Sequence, residues 1–174
     1  MKTLRLCALL AGFSSLMVAQ PATSGSQLCK ISGRPLISST GTPAIQVTDP
    51  QNPGVAQTIQ IAADIRCGAD GKPAGQITLN GLAMNAAPGY SSMVTTSFPL
   101  FGLTGAGTAY LNGACTLNDP AGFSKDCHYW MKLSDAAVSF VIWLPTGEPL
   151  AKGAKHINPA TGALKVALAP VPAR

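Results

Sequence analysis

Two histidines, one glutamate and six aspartates are all that this chain offers for acid–base chemistry. His128 and Asp126 sit two positions apart, so on an extended strand they share a face. With one of the serines they compose, on paper, a Ser/His/Asp hydrolase. No Gly-x-Ser-x-Gly elbow accompanies them. A glycosidase needs two placed carboxylates. Glu148 is the only glutamate, and Asp49, Asp70 and Asp119 fall in turn-like sequence, where an aspartate's ordinary role is to cap nearby backbone. Asp64 and Asp70 flank Cys67 without the acidic spacing of an EF-hand. The run GLTGAG at 102–107 lacks the lysine and Ser/Thr of a phosphate loop, and reads as a strand-to-strand crossing. Tyr129, Trp130 and Trp143 suggest a different chemistry, an aromatic binding platform. Adjacent strand residues point to opposite sides, so one of Tyr129 and Trp130 belongs to the core and the other to the surface or beneath a cover.

The cysteines carry more information. Cys7 lies in an N-terminal segment with the pattern of an export signal: Lys2 and Arg5, then an apolar run over 6–19 that is shorter than a membrane span. Cleavage is expected between Ala19 and Ser24, and no later run reaches membrane-spanning length. The mature chain keeps Cys29, Cys67, Cys115 and Cys127. An even count behind an export signal implies two disulfides in an oxidising compartment. Four cysteines allow three pairings. The sequential one, 29 with 67 and 115 with 127, is expected because each pair then brackets a strand–turn–strand unit. A zinc site lacks its Cys-x-x-Cys spacing.

The 38-residue spacing from Cys29 to Cys67, behind an export signal in a β-rich chain, resembles the disulfide of chaperone–usher pilin subunits. The resemblance covers that span alone. The chain departs from the family in its second cysteine pair, and in lacking the penultimate tyrosine at its end.

The elements that must position these residues are short strands. The chain has 174 residues, and only 11% of them are charged, against about 25% in ordinary globular chains. Its glycines and prolines total 32. That composition starves surface helices of Glu, Lys and Gln, and suits strands joined by tight turns. Without Lys2 and Arg5, ten basic residues stand against seven acidic ones. They are scattered along the chain, with no stripe of the kind nucleic acid requires.

Strand candidates follow from alternation. In 55–67 Ile59 and Ile61 share one face, with Thr58 and Gln60 on the other. In 29–38 Ile31 and Leu36 are expected inward. Residues 76–84 and 91–98 read as further strands, and 99–107 as irregular. The segment 102–143 is expected to hold the best-ordered core, with strands at 108–111, 127–133 and 138–143. The last of these is so apolar that both its faces are expected to be covered. It should form a hairpin with 127–133, with the final strand, 163–169, close by.

The sequence therefore predicts an all-β fold, a small antiparallel β-sandwich or Greek-key β domain with two disulfides. A signal peptide over 1–24 precedes a single exported β domain over 25–174. The expected function is that of an exported non-enzymatic module, secreted or periplasmic, that binds, adheres or builds structure. Its partner is an unidentified protein or surface ligand. No cofactor, metal, nucleic acid or mature transmembrane segment is expected. The alternative is a small secreted hydrolase using His128 with Asp126.

Overall fold

A computed structural model describes residues 23–24, 28–48, 56–82 and 89–169. Most of the expected signal segment, the turn expected at 49–54, most of the turn expected at 86–90, and the tail at 170–174 lie outside the described residues. Twelve strands are described: β1 (Thr23–Ser24), β2 (Pro35–Gly41), β3 (Ala44–Thr48), β4 (Ala56–Cys67), β5 (Pro73–Asn80), β6 (Ser92–Thr95), β7 (Leu100–Leu103), β8 (Thr108–Asn118), β9 (Ser124–Ser134), β10 (Ala137–Trp143), β11 (Pro149–His156) and β12 (Gly162–Val166). Every pairing is antiparallel. The expected all-β class and both disulfides are present, Cys29 with Cys67 and Cys115 with Cys127.

The strands form one continuous sheet in the order β11-β10-β9-β8-β6-β5-β4-β2-β12. It curls until β11 comes against β3 and β12 against β9. The expected antiparallel β domain is thus realised as a curled sheet wrapping an apolar interior. Alternation builds that interior directly. β4 turns Ile59, Ile61, Ala63, Ile65 and Cys67 inward, and leaves Thr58, Gln60, Asp64 and Arg66 outside. β9 does the same with Cys127, Tyr129, Met131 and Leu133, and β10 with Val138, Phe140 and Ile142. Burying a side chain of this size stabilises by roughly 1.5–3 kcal/mol, which fixes the strand register, because a slip of one residue would turn the whole set outward.

Twice, two strands share one edge of a longer partner. β2 pairs β4 only near its Cys67 end, and β3 takes over at the other end. Between them the Ser39 hydroxyl replaces ladder bonds, accepting from the Ala63 N–H at 3.1 Å and donating to its carbonyl at 3.3 Å. Likewise β6 and β7 both pair β8, one against 115–118 and the other against 109–112. Residues 96–99 bulge between them. The bulge is held by the Thr96 N–H on the Ala114 carbonyl (3.0 Å) and the Ala114 N–H on the Ser97 hydroxyl (3.1 Å). It needs Gly113 opposite, since a Cβ there would strike the Ser97 carbonyl oxygen and come within 2.9 Å of Pro99 Cδ.

Several expectations are corrected. Ile31 is 68% exposed, because it sits in the turn that Gly33 closes with φ +77° and an N–H donated to the Cys67 carbonyl; Leu36 is buried as expected. Residues 99–107 are not uniformly irregular. Leu100-Phe-Gly-Leu103 forms β7, with Phe101 and Leu103 inward; the alternation there spans only four residues and the glycine obscures it. The strand expected at 108–111 runs on to Asn118. β10 forms the expected hairpin with β9 but buries only one face, and Ser139, Val141 and Trp143 are half-buried on the other. The final strand, β12, pairs β2 rather than the hairpin. It still lies close to the hairpin, as expected, coming against β9 and donating the Val166 N–H to Asp135 Oδ1 of the turn at 2.8 Å.

Candidate functional site

The outer face of β8, β9, β10 and β11 carries Tyr110, Trp130 and Trp143, three of the aromatic residues that the core leaves outside. Register fixes their neighbours. Across the face run three rows: Ala114, His128 and Trp143; Asn112, Trp130, Val141 and Lys152; and Tyr110, Lys132, Ser139 and Ala154. Leu100 of β7 extends the middle row, opposite Asn112. Tyr110 and Trp130 are each 37% exposed and Leu100 is 64% exposed, a large apolar area for the outside of a sheet that is otherwise polar. The Lys132 ammonium sits 5.7 Å from the centre of the Tyr110 ring, close enough for cation–π attraction. His128 lies against Trp143, with ring centres 6.1 Å apart and planes inclined by 30°.

Tyr129 and Trp130 take opposite sides, as their adjacency requires. Tyr129 is fully buried, and its hydroxyl donates to the Ser97 carbonyl at 2.8 Å. Burial pushes its phenol well above the ordinary range, so it is a structural hydrogen-bond donor that braces the 96–99 bulge.

A groove of about 500 Å³ crosses this face. Trp130, Ser139, Val141, Lys152 and Ala154 line it from the outer face, and Val47, Phe140, Gly153 and Lys155 line it from the inward row at the β11 edge. The depression has a simple origin. Ser139 and Ala154 are directly opposite each other in the β10 and β11 ladder, and both are short, whereas Trp130 and Lys152 in the next row are long.

Among the described residues the carboxylates lie outside the groove lining. Asp119 is buried, and its Oδ1 accepts from the backbone N–H groups of Ala121 (2.9 Å) and Phe123 (2.8 Å). Asp70 caps the Lys72 N–H, Asp64 pairs with Arg66 at 2.9 Å, and Asp135 holds Val166. Glu148 closes a tight turn through its backbone carbonyl, which accepts from the Leu144 N–H. Asp126 lies exposed on β9 beside Thr116 of β8. It shares the outer face with His128, and among the described residues no hydrogen bond joins the two. The residues directly opposite His128 are Ala114 and Trp143, so its ring meets an indole rather than a hydroxyl. Among the described residues no three His, Cys, Asp or Glu side chains converge as metal ligands, and no helix is long and apolar enough to cross a membrane.

Sequence reasoning named Trp130 and Trp143 but missed Tyr110, Lys152, Lys155 and the groove floor. The available signal was hairpin register: with the turn at 134–137, Trp130 must face Val141. Comparison with protein-family models, curated proteins and solved structures gives no match.

Proposed function

We propose that the chain is an exported binding module whose ligand is held on the outer face of β8, β9, β10 and β11. The observation that carries this reading is the half-exposed set of Tyr110, Trp130, Trp143 and His128, aligned by register on one side of a rigid sheet. Aromatic rings supply large contact areas and lose little conformational freedom on binding, so an exposed set on one face is typical of recognition surfaces. Two disulfides suit an oxidising, extracellular setting, and the pattern from Lys2 to Ala19 suits export. Pairing of β1 with β7 favours cleavage near Ala19, since a cut after Ser24 would remove that strand.

The test works whatever the ligand is. Cells exporting the wild-type chain are fractionated beside cells exporting a variant with Tyr110→Ala, Trp130→Ala and Trp143→Ala together. Wild-type protein is expected in the envelope-bound fraction and the variant in the soluble one, at matched thermal stability. Equal partition, or turnover of ester, glycan or peptide substrates that His128→Ala abolishes, would overturn the reading. N-terminal sequencing of the exported protein is expected to begin between residues 20 and 25.

A further inference from the structure

Register sets three outward-facing rings on one line. From Tyr110 of β8 to Trp130 of β9 the step is one strand across and two residues along, because Tyr110 pairs with Lys132. From Trp130 to Trp143 of β10 the same step recurs in the same direction, because Trp143 pairs with His128. Diagonal neighbours of this kind stand about 7–8 Å apart, so the line is roughly 15 Å long. The opposite diagonal through Trp130 holds Ala114 and Ser139. Both are short, so the indole stands above them, and Trp130 and Ser139 both line the groove. Charge along the line favours neither sign. Lys132 stands at the Tyr110 end, its ammonium over the Tyr110 ring. Asp126 stands at the Trp143 end, exposed two residues before His128. Lys152 lies two strands from Trp130, off the line. A charged chain laid along the three rings would be attracted at one end and repelled at the other.

We infer that the diagonal of Tyr110, Trp130 and Trp143 binds a neutral linear glycan of equatorially linked pyranoses. This deepens the proposed function and rests on it. Equatorial linkage keeps successive rings in an extended ribbon. The C–H bonds of its flat faces meet the negative faces of aromatic rings, and the hydroxyl groups along its edges meet Asn112, His128 and Ser139, which neighbour Trp130. Axial linkage coils a chain and lifts its rings off a straight line. The support is rigid: β8 and β9 share eleven residue pairs and the Cys115–Cys127 bridge, so the rings are ordered before the ligand arrives and little is lost in ordering them. A protein partner fits less well, because the centre of a protein interface is a closed apolar patch, whereas here hydrogen-bonding side chains stand between the rings.

The experiment is calorimetric titration of the mature protein with cellohexaose, chitohexaose and xylohexaose, with the disaccharides of the same three series, with the axially linked maltohexaose, and with the acidic, equatorially linked hexamannuronate. At least one of the three neutral hexasaccharides is expected to bind, at least tenfold more tightly than its own disaccharide. Tyr110→Ala, Trp130→Ala and Trp143→Ala should each weaken it at least fivefold, and Trp143→Tyr, which keeps a ring, should restore it. Phe123→Ala removes an aromatic ring that is 70% exposed in the turn between β8 and β9, and should leave binding unchanged. Tighter binding of maltohexaose or of hexamannuronate would overturn the glycan inference while leaving the aromatic platform standing. Binding by none of the three would overturn it too, and the envelope partition of the triple aromatic variant then shows whether the platform falls with it. A loss confined to Trp130→Ala would reduce the line to one ring and overturn the inference. Hexasaccharide binding that all three alanine variants leave unchanged would overturn the platform itself.

Discussion

Cys115 and Cys127 face each other within a ladder of eleven residue pairs between β8 and β9. Cys29 and Cys67 instead join an irregular segment to the last residue of β4, where the β2 ladder pairs only three residues and shifts register. Remove the first bridge, and the strands on either side are still held by their own hydrogen bonds. Remove the second, and residues 28–34 keep little besides the Gly33 N–H on the Cys67 carbonyl, the Cys67 N–H on the Arg34 carbonyl, and the reach of Arg34 to the carbonyls of Leu28 (3.5 Å) and Leu168 (3.2 Å). Leu28, fully buried, would lose its tether. The β8 to β11 meander is self-supporting, whereas the region around Cys67 is assembled from distant parts of the chain.

The largest effect should come from the interior of the meander. Phe140 is buried, and its ring lies under Gly153 of β11. Phe140→Ala is expected to cost about 3–5 kcal/mol, read as a fall in the urea midpoint at unchanged slope. A cost no greater than that of an ordinary surface substitution, about 0.5 kcal/mol, would mean that the meander is not the stability centre.

The bridges come next. By loop entropy, the pair Cys29→Ser with Cys67→Ser should cost about 4 kcal/mol, and Cys115→Ser with Cys127→Ser about 3 kcal/mol. Limited proteolysis sharpens the difference: the first variant should gain cleavage near Lys30 and Arg34, and the second should gain none between 108 and 134. New cleavage inside the meander would reverse the comparison.

The same contrast explains what could be read from the sequence. The hairpin of β9 and β10 was legible because its partners are neighbours in the chain and a short polar turn separates two apolar runs. So was the disulfide pairing, which follows that locality. The union of β2 with β12 was not, because Ile37 meets Val166 only once the whole sheet has curled, and nothing near either residue encodes the curl. β7 was hidden by brevity. The site was half legible. Trp130 and Trp143 stand out by type, but Lys152 looks like one of ten scattered basic residues until β11 pairs with β10 and sets it opposite Val141, in the row of the Trp130 indole.

A smaller effect tests how the bulge is tied to the meander. Tyr129→Phe removes the hydrogen bond to Ser97 and should cost about 1 kcal/mol at neutral pH. Burial raises the phenol of the folded state above its unfolded value near 10. Its contribution is therefore complete below about pH 10 and is lost as pH rises beyond it, because the unfolded chain releases that proton first. Between about pH 9 and pH 11 the wild-type protein should lose more stability than Tyr129→Phe does, measured as the difference in melting temperature. An identical loss in both would mean that the buried phenol ionises as freely as an exposed one.

The smallest effect separates the two faces of β10. Trp143 lies three residues beyond Phe140 on the same strand, yet it points outward, half-buried against the His128 ring rather than in the core. Size alone would assign it the same cost of about 3–5 kcal/mol as any core aromatic. Position argues otherwise: the indole gives up only part of its surface to water in the variant, and no closed cavity is left behind. Trp143→Ala should therefore cost about 1 kcal/mol or less, within the range of surface substitutions that break one packing contact. Its fluorescence provides an independent check, since the wild-type indole should be quenched by added acrylamide, as that of Trp130 should be. If Trp143→Ala shifts the urea midpoint as far as Phe140→Ala does, and its indole resists quenching, then the outer face of β10 is covered, and a ligand platform cannot be built on it.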